Sequence, residues 1–107
     1  MNSEQLLHKI SKAKQSQSQK LNLKNQKLYS LPPEIGELEY LQDVDLENNL
    51  IRKLPSEFGR LLKLKRFSGR KNAFDKIAPE IFSLSELEIL DLKENFIREI
   101  PSEIRLL

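Results

Sequence analysis

The sequence predicts an α/β solenoid, in which stacked coils each contribute one strand and one short helical turn. Three observations support this fold class: an unbroken 23-residue period, alternating side chains within each period, and an asparagine that recurs after the alternating stretch in three of the four periods. The period is visible in sets of residues spaced 23 apart, such as Leu23, Leu46, Gly69 and Leu92. A period of roughly 20 to 29 residues indicates units that bury their apolar faces only against their neighbours.

Composition restricts the possible functions of the chain. It has 107 residues, no cysteine and a formal net charge of +2. The length fits one small domain, and without cysteine there is no disulfide framework or thiolate metal site. We expect a cytoplasmic location, because no leader peptide is recognisable and no apolar run approaches the ~18 residues of a membrane span. Export by a leaderless route stays open.

The charges are unevenly distributed along the chain. Residues 1–27 carry six lysines and one glutamate, whereas residues 28–107 carry 12 basic and 15 acidic side chains. The repeats are therefore mildly acidic, which is a poor electrostatic match for nucleic acid. We expect no nucleic-acid partner for them.

The N-terminal part, residues 1–17, is predicted to be an amphipathic helical cap followed by a polar linker. The helix is expected over about residues 3–14 with Ser3 as its N-cap, and its apolar face would comprise Leu6, Leu7, Ile10 and Ala13. This face would cover Leu21 and Leu23 of the first coil. The alternative is a basic anchor on an acidic membrane, although the helix lacks the Trp or Phe that such anchors favour.

Residues 18–107 divide into four units, numbered one to four: 18–40, 41–63, 64–86 and 87–107. In unit two, Val44 and Leu46 alternate with polar neighbours, which predicts a strand with one face inward. Equivalent strands are predicted near residues 20–23, 43–46, 66–68 and 89–92, paired in parallel because alternation and register coincide there.

Each strand is followed by a turn whose residues also recur. Asn49 and Asn72 are expected to be buried and bonded to backbone groups that the turn leaves unpaired. Pro55 is expected to open a short helical turn, where its missing N–H has no cost. In unit three the proline is Pro79, one place later, so the helical turn there is predicted to start later.

These units resemble leucine-rich repeats of the 23-residue type, with consensus LxxLxLxxNxLxxLPxxIxxL, found in Ras-suppressor-like proteins and many bacterial repeat proteins. Units two to four match the consensus, and unit one matches with Ser18 and Gln26 at two consensus positions. The resemblance implies a right-handed coil with a concave parallel sheet and convex helical turns. It also implies recognition of proteins by the concave face.

Unit three departs from the repeat at Gly69, which stands where the other units have a core leucine. The aromatic residues Phe67 and Phe74 are expected to fill the space that this glycine leaves. A cavity for a small apolar ligand is the alternative.

The outward side chains of the four strands form the candidate working surface. They are predicted to make three rows across the sheet, because adjacent strands lie ~4.8 Å apart. The first row is Lys20, Asp43, Arg66 and Ile89; the second is Asn22, Asp45, Ser68 and Asp91; the third is Lys24, Glu47, Arg70 and Lys93. The candidate protein-binding residues are Asp43, Asp45, Glu47, Arg66, Ser68, Arg70, Ile89, Asp91 and Lys93. These rows could be cross-strand ion pairs that keep the sheet soluble, a binding face, or both.

The sequence offers little chemistry, so we predict no catalytic residue, cofactor or metal. Three carboxylates project from the second strand, but lysines and arginines of the flanking strands supply counter-charges rather than a metal site. His8 is the single histidine and is expected on the helix surface. No nucleophile–base pair and no glycine-rich phosphate loop is recognisable. An enzyme is therefore not expected.

The function predicted from the sequence is a non-catalytic protein–protein interaction module with an unidentified protein partner. One alternative is a structural unit that self-associates as a weak homodimer through residues 87–107, where we expect the last coil to be uncapped. A second alternative is an adaptor tethered to membrane or nucleic acid by its basic N-terminus.

Overall fold

The computed structural model of the protein describes residues 1–100. Within that range the chain begins with an α-helix, α1 (Ser3–Gln15), followed by four strands. The strands are β1 (Lys20–Asn22), β2 (Asp43–Asp45), β3 (Arg66–Ser68) and β4 (Ile89–Asp91). Between consecutive strands lie three 3-10 helices, at Pro33–Glu37, Ser56–Arg60 and Pro79–Ser83.

The four strands form one parallel sheet in the order β1-β2-β3-β4. Leu21 pairs with Val44, Val44 with Phe67, and Phe67 with Leu90, so neighbouring strands are offset by one repeat. This arrangement confirms the predicted parallel strands and their register. Three of the four strands end one residue earlier than predicted.

The 3-10 helices begin at the same place in each unit, at Pro33, Ser56 and Pro79. The later start predicted for unit three is therefore wrong. Pro79 is the first residue of its turn, whereas Pro55 lies just before its turn in an extended conformation, with φ −67° and ψ 151°. The φ angle of proline suits both positions, so the proline can move by one residue without moving the turn.

The core is one continuous apolar cluster that extends from α1 through the first three units. Leu41, Val44 and Leu46 of unit two have no exposed surface. In unit four, Leu87, Leu90, Leu92 and Ile97 are partly buried and pack against this cluster. The 23-residue period also predicts that Ile100, Ile104 and Leu107 complete the final coil. Ile100 is 73% exposed, so its predicted burial is wrong, and Ile104 and Leu107 lie outside the described residues.

Helix α1 packs its apolar side against the first coil. Leu6, Ile10 and Ala13 are buried in the same cluster as Leu21 and Leu23. Leu7, which was predicted on this face, is instead 40% exposed, because the buried stripe follows only the i, i+4, i+7 positions. The buried stripe is not available to a bilayer in this conformation, so the structure does not favour the membrane-anchor alternative.

The N-cap of α1 is Asn2 rather than the predicted Ser3. The Asn2 side chain accepts a hydrogen bond from the Gln5 backbone N–H at 2.8 Å, and the Gln5 side chain accepts one from the Asn2 backbone N–H at 2.9 Å. This reciprocal capping box satisfies two N–H groups that the helix leaves unpaired. Polar contacts also hold the helix to the repeats, since the Lys9 ammonium donates to the Asn22 carbonyl at 2.8 Å.

The predicted burial and backbone hydrogen bonding of Asn49 and Asn72 are confirmed. We call the asparagines that recur at this position, Asn49, Asn72 and Asn95, the asparagine ladder. Asn49 and Asn72 are 5% and 6% exposed. The Asn72 amide donates to the carbonyl oxygens of Leu46, at 2.9 Å, and Gly69, at 3.1 Å, while its oxygen accepts the Ile51 N–H at 3.0 Å. Asn49 makes the equivalent bonds one unit earlier, so each asparagine joins its own coil to the preceding one.

The residue before each consensus asparagine position has a left-handed backbone conformation. Asn25, Asn48, Lys71 and Glu94 have φ angles between 56° and 58°. Asparagine adopts this conformation readily, whereas lysine and glutamate do so at a cost. The chain turns sharply here, at the exit of every strand.

The space above Gly69 is filled, as predicted. A Cβ atom built on this glycine would lie 3.0 Å from Phe74 Cε2, 3.0 Å from Leu92 Cδ2 and 3.3 Å from Phe67 Cζ. Those distances leave no room for an apolar ligand. The rings of Phe67 and Phe74 therefore compensate for the missing leucine.

Candidate protein-binding face

The outward side chains of the sheet form the first two predicted rows, whereas the third row lies just beyond the strand ends. Lys20 pairs with Asp43, Asp43 with Arg66, and Arg66 with Ile89. The second row is likewise in register, and runs Asn22, Asp45, Ser68 and Asp91. The three rows differ in what their side chains do, and this difference locates the candidate site.

In the second row, most side chains stabilise the exit of their own strand. Asn22, Asp45 and Asp91 each accept a hydrogen bond from the backbone N–H two residues later, at 2.9 to 3.0 Å. Such Asx turns satisfy amides where a strand ends. This role was not predicted from the sequence, although an Asn or Asp occupies the same place in three of the four units and could have indicated it.

The third row is a chain of alternating charges. Lys24 Nζ lies 3.1 Å from Glu47 Oε2, and Arg70 Nε lies 3.9 Å from Glu47 Oε1 and 3.1 Å from Glu94 Oε2. The hydrogen bond to Glu47 raises the pKa of Lys24, and the hydrogen bond to Glu94 raises the pKa of Arg70. The unit-four partner of Arg70 is thus Glu94, which follows β4, and not Lys93 of the predicted row. These charges are largely satisfied within the protein.

The first row is the least occupied. Lys20 and Arg66 are exposed, Asp43 is half-buried, and the Ile89 side chain is 51% exposed. Across residues 1–100 no ion pair joins Asp43 to either flanking cation, so the alternative of cross-strand ion pairs does not hold for this row. Long side chains in register need not meet, because the register fixes their backbones and not their rotamers.

A shallow groove runs along the first row. It has a volume of about 340 Å³ and is lined by Gln19, Lys20, Gln42, Asp43, Lys65, Arg66 and Glu88. The groove combines charged and amide side chains beside the exposed apolar surface of Ile89. We therefore define the candidate site as this first row with its groove.

Groups that could support catalysis or metal binding do not converge in the described part of the chain. Residues 1–100 contain no set of three His, Cys, Asp or Glu side chains arranged to hold a metal ion. His8 lies exposed on α1. In the same range no helix has the length and apolar character needed to cross a bilayer.

Comparison with known proteins places the chain in a family. The family model for the Leucine Rich Repeat matches residues 40–61. The solved structure of a leucine-rich repeat protein from Leptospira interrogans superposes with a TM-score of 0.81 and 44% identity, over 82% of this chain. The chain is a leucine-rich repeat protein. No curated protein sequence matches it.

As a leucine-rich repeat protein, the chain has the α/β solenoid fold that its sequence predicted, with the sheet on the concave side. The candidate site therefore lies on the concave face. The chain spans 22% of the length of the Leptospira interrogans protein that it matches. Leucine-rich repeats are commonly used for protein–protein interaction, which is the general role that family membership indicates.

Proposed function

We propose that this leucine-rich repeat protein is a non-catalytic module that binds a protein partner through the first row of its concave face. The single observation that carries the proposal is the contrast between the rows. Lys24, Glu47 and Arg70 of the third row are paired within the protein, whereas Lys20, Arg66 and Ile89 of the first row are exposed.

The chemistry of the first row suggests what the partner would present. Arg66 and Lys20 would receive carboxylate or carbonyl oxygens, and Ile89 would contact an apolar side chain. Arginine is enriched among residues that dominate binding energy, and the neighbouring apolar surface would exclude water from its contacts. We therefore propose Arg66 and Ile89 as the principal contacts among the nine candidate residues, with Lys20 beside them.

Two further properties belong to the proposal. The module is taken to be non-catalytic, because in the described part of the chain the groove brings no nucleophile next to a base. Its proposed location is the cytoplasm, which is supported by the absence of cysteine from the sequence.

Affinity capture with three forms of the protein tests the proposed site. The wild type, the double variant Arg66→Glu/Ile89→Lys and the control variant Arg60→Glu are immobilised and exposed to an extract of the source cell. Arg60 is exposed and lies on the 3-10 helix Ser56–Arg60, away from the sheet. A partner should be retained by wild type and by the control, and lost from the double variant. Equal retention by all three would exclude the first row as the binding site.

Weak self-association through residues 87–107 is the second candidate. Its support is the exposure of apolar side chains in unit four, where Ile89 is 51% and Phe96 is 67% exposed. In addition, β4 lies at one edge of the described sheet, where backbone groups can pair with another strand. Sedimentation equilibrium should show an average mass that rises with protein concentration for the wild type and stays monomeric for Ile89→Lys. A monomeric wild type at every concentration would eliminate this candidate.

A further inference from the structure

A second candidate surface is formed by residues that come after Asn49, Asn72 and Asn95 in units two to four. We propose that this surface, the basic flank, binds an acidic protein segment that carries an apolar side chain. The basic flank is formed by Arg52, Lys53, Asp75, Lys76, Phe96 and Arg98. It is separate from the concave face and does not depend on the function proposed for that face.

The six residues of the basic flank line one shallow groove of about 500 Å³. Four of them are cations, one is a carboxylate and one is an aromatic ring, and all six are exposed. The groove therefore concentrates positive charge on a repeat region that is acidic as a whole, since residues 28–107 carry 12 basic and 15 acidic side chains. Such local concentration attracts a complementary ligand.

Within residues 1–100, most of the cations on the basic flank have no acidic partner. Arg52 Nη2 lies 3.5 Å from Asp75 Oδ2, so the one carboxylate that lines the groove is already paired with Arg52. Among residues 1–100, Lys53, Lys76 and Arg98 form no ion pair. Three positively charged groups are thus available to carboxylates of a bound segment.

Phe96 provides an apolar contact beside these cations. Its side chain is 67% exposed, and Leu50, which holds the same place in unit two, is 45% exposed. The backbone at Phe96 is held in place, because its N–H donates to the Phe74 carbonyl at 2.8 Å. The equivalent N–H groups of Leu50 and Ala73 donate to the carbonyls of Leu28 and Ile51, at 2.8 and 2.9 Å. An exposed aromatic ring on a fixed backbone, next to unpaired cations, is a typical anchoring point for a partner.

A protein segment fits the basic flank better than nucleic acid or membrane does. Binding of single-stranded nucleic acid uses successive aromatic platforms, whereas this groove has one ring and an acidic side chain. A membrane-binding surface presents a broad apolar face, whereas five of the six side chains that line this groove are charged. A short segment with spaced carboxylates can pair with the three cations while one apolar side chain packs on Phe96.

Selection from a phage-displayed library of random dodecapeptides tests the inference directly. The wild type is the target, and the selected peptides are then measured by fluorescence anisotropy against the wild type, Lys53→Glu/Lys76→Glu and Arg60→Glu. We expect peptides rich in Asp and Glu with an aromatic or aliphatic residue, bound on the order of tenfold more weakly by the double variant and equally by Arg60→Glu. Their affinity should fall as salt concentration rises. The absence of any enriched peptide, or peptides without acidic character, would overturn the proposal.

Two competitors and one further variant complete the experiment. Phosphatidylserine vesicles and oligothymidylate are added to the wild-type complex. If either binds more tightly than the selected peptides, and does so through Lys53 and Lys76, the flank is a lipid or nucleic-acid site and the proposal fails. The concave variant Arg66→Glu should bind the peptides as the wild type does. This result would hold even if the concave-face proposal were wrong, so the two failures are distinguishable.

Discussion

Asn72 shows how much of the fold depends on single side chains. Its amide and carbonyl groups bond to backbone atoms of two neighbouring coils, and 6% of its surface is exposed. The change Asn72→Ala should lower the free energy of unfolding by about 1 to 3 kcal/mol, because the buried backbone groups lose their partners. Urea denaturation followed by circular dichroism measures this difference.

The isosteric change Asn72→Asp is the control for this prediction. It keeps the size of the side chain but removes the amide hydrogens that the Leu46 and Gly69 carbonyls accept. It should destabilise at neutral pH at least as much as Asn72→Ala. If both variants unfolded like the wild type, the ladder would be a packing feature and not a source of stability.

Gly36 and Gly59 occupy the same place in units one and two but have different surroundings. A Cβ atom on Gly36 would lie 2.6 Å from the Glu57 carbonyl oxygen, whereas one on Gly59 would find its nearest neighbour at 3.5 Å. Gly36→Ala should therefore destabilise the protein by about 1 to 3 kcal/mol, since backbone would have to move. Gly59→Ala should be neutral or stabilising by up to about 1 kcal/mol, because it restricts the unfolded chain.

Thermal unfolding of the two alanine variants in parallel checks the pair, and each serves as the control for the other. Equal melting temperatures would contradict the prediction. At this scale the sequence predicted the asparagine ladder, because its residues recur every 23 positions, and the filling of the Gly69 space, because Gly69 departs from that period. It could not distinguish Gly36 from Gly59, since the close approach at Gly36 depends on the spacing between two helical turns.

Among the elements, the strand exits contain strain that can be removed. Lys71 has a φ angle of 56°, in the left-handed region, at a place where units one and two have Asn25 and Asn48. Lys71→Asn should stabilise the protein by about 1 kcal/mol, because asparagine tolerates this conformation better than lysine does. The midpoint of urea denaturation measures the gain.

The matched control for that prediction is Lys71→Ala. It removes the same charge but keeps a residue that disfavours the left-handed region, so it should bring little gain. A similar gain from both variants would assign the effect to charge and not to backbone conformation.

The helical elements show where the sequence was decisive and where it was not. The i, i+4, i+7 spacing of Leu6, Ile10 and Ala13 predicted the buried side of α1. The N-cap was wrong because Asn2 and Ser3 can both cap a helix, and only the spacing from Asn2 to Gln5 indicates the reciprocal pair that the structure contains. The start of the third helical turn was wrong because it follows the 23-residue register and not the proline.

For the molecule as a whole, we expect some charged side chains of the concave face to stabilise the fold and others to contribute little to stability. Arg66→Glu should lower the unfolding midpoint only slightly, since no ion pair involving Arg66 exists within residues 1–100 and the new carboxylate lies in register with one carboxylate, Asp43. Arg70→Glu should lower the midpoint, because it places a third carboxylate beside Glu47 and Glu94. Thermal denaturation at low salt measures both variants.

The difference between these two variants should shrink as salt concentration rises, because the charges involved are exposed and therefore screened. It should persist at moderately alkaline pH, since the hydrogen bond to Glu94 raises the pKa of Arg70 further and the guanidinium stays protonated. Identical midpoints at low salt would contradict the division. The sequence predicted the three rows but not this division, because long side chains can reach residues outside their own row, as Arg70 reaches Glu94.

Each asparagine of the ladder bonds to the coil that precedes it in the sequence, and this has a consequence for folding during synthesis. Asn49 accepts hydrogen bonds from Gln26 and Leu28, Asn72 from Ile51 and Asn95 from Phe74, so the loop of each coil is completed by the next coil. A ribosome releases the N-terminal coil first, and that coil lacks these partners until another 23 residues have emerged. At roughly 5 to 20 residues per second, each newly made coil would wait about 1 to 5 seconds for its closing asparagine. On the ribosome, each coil should therefore reach its native structure only after the next repeat has emerged.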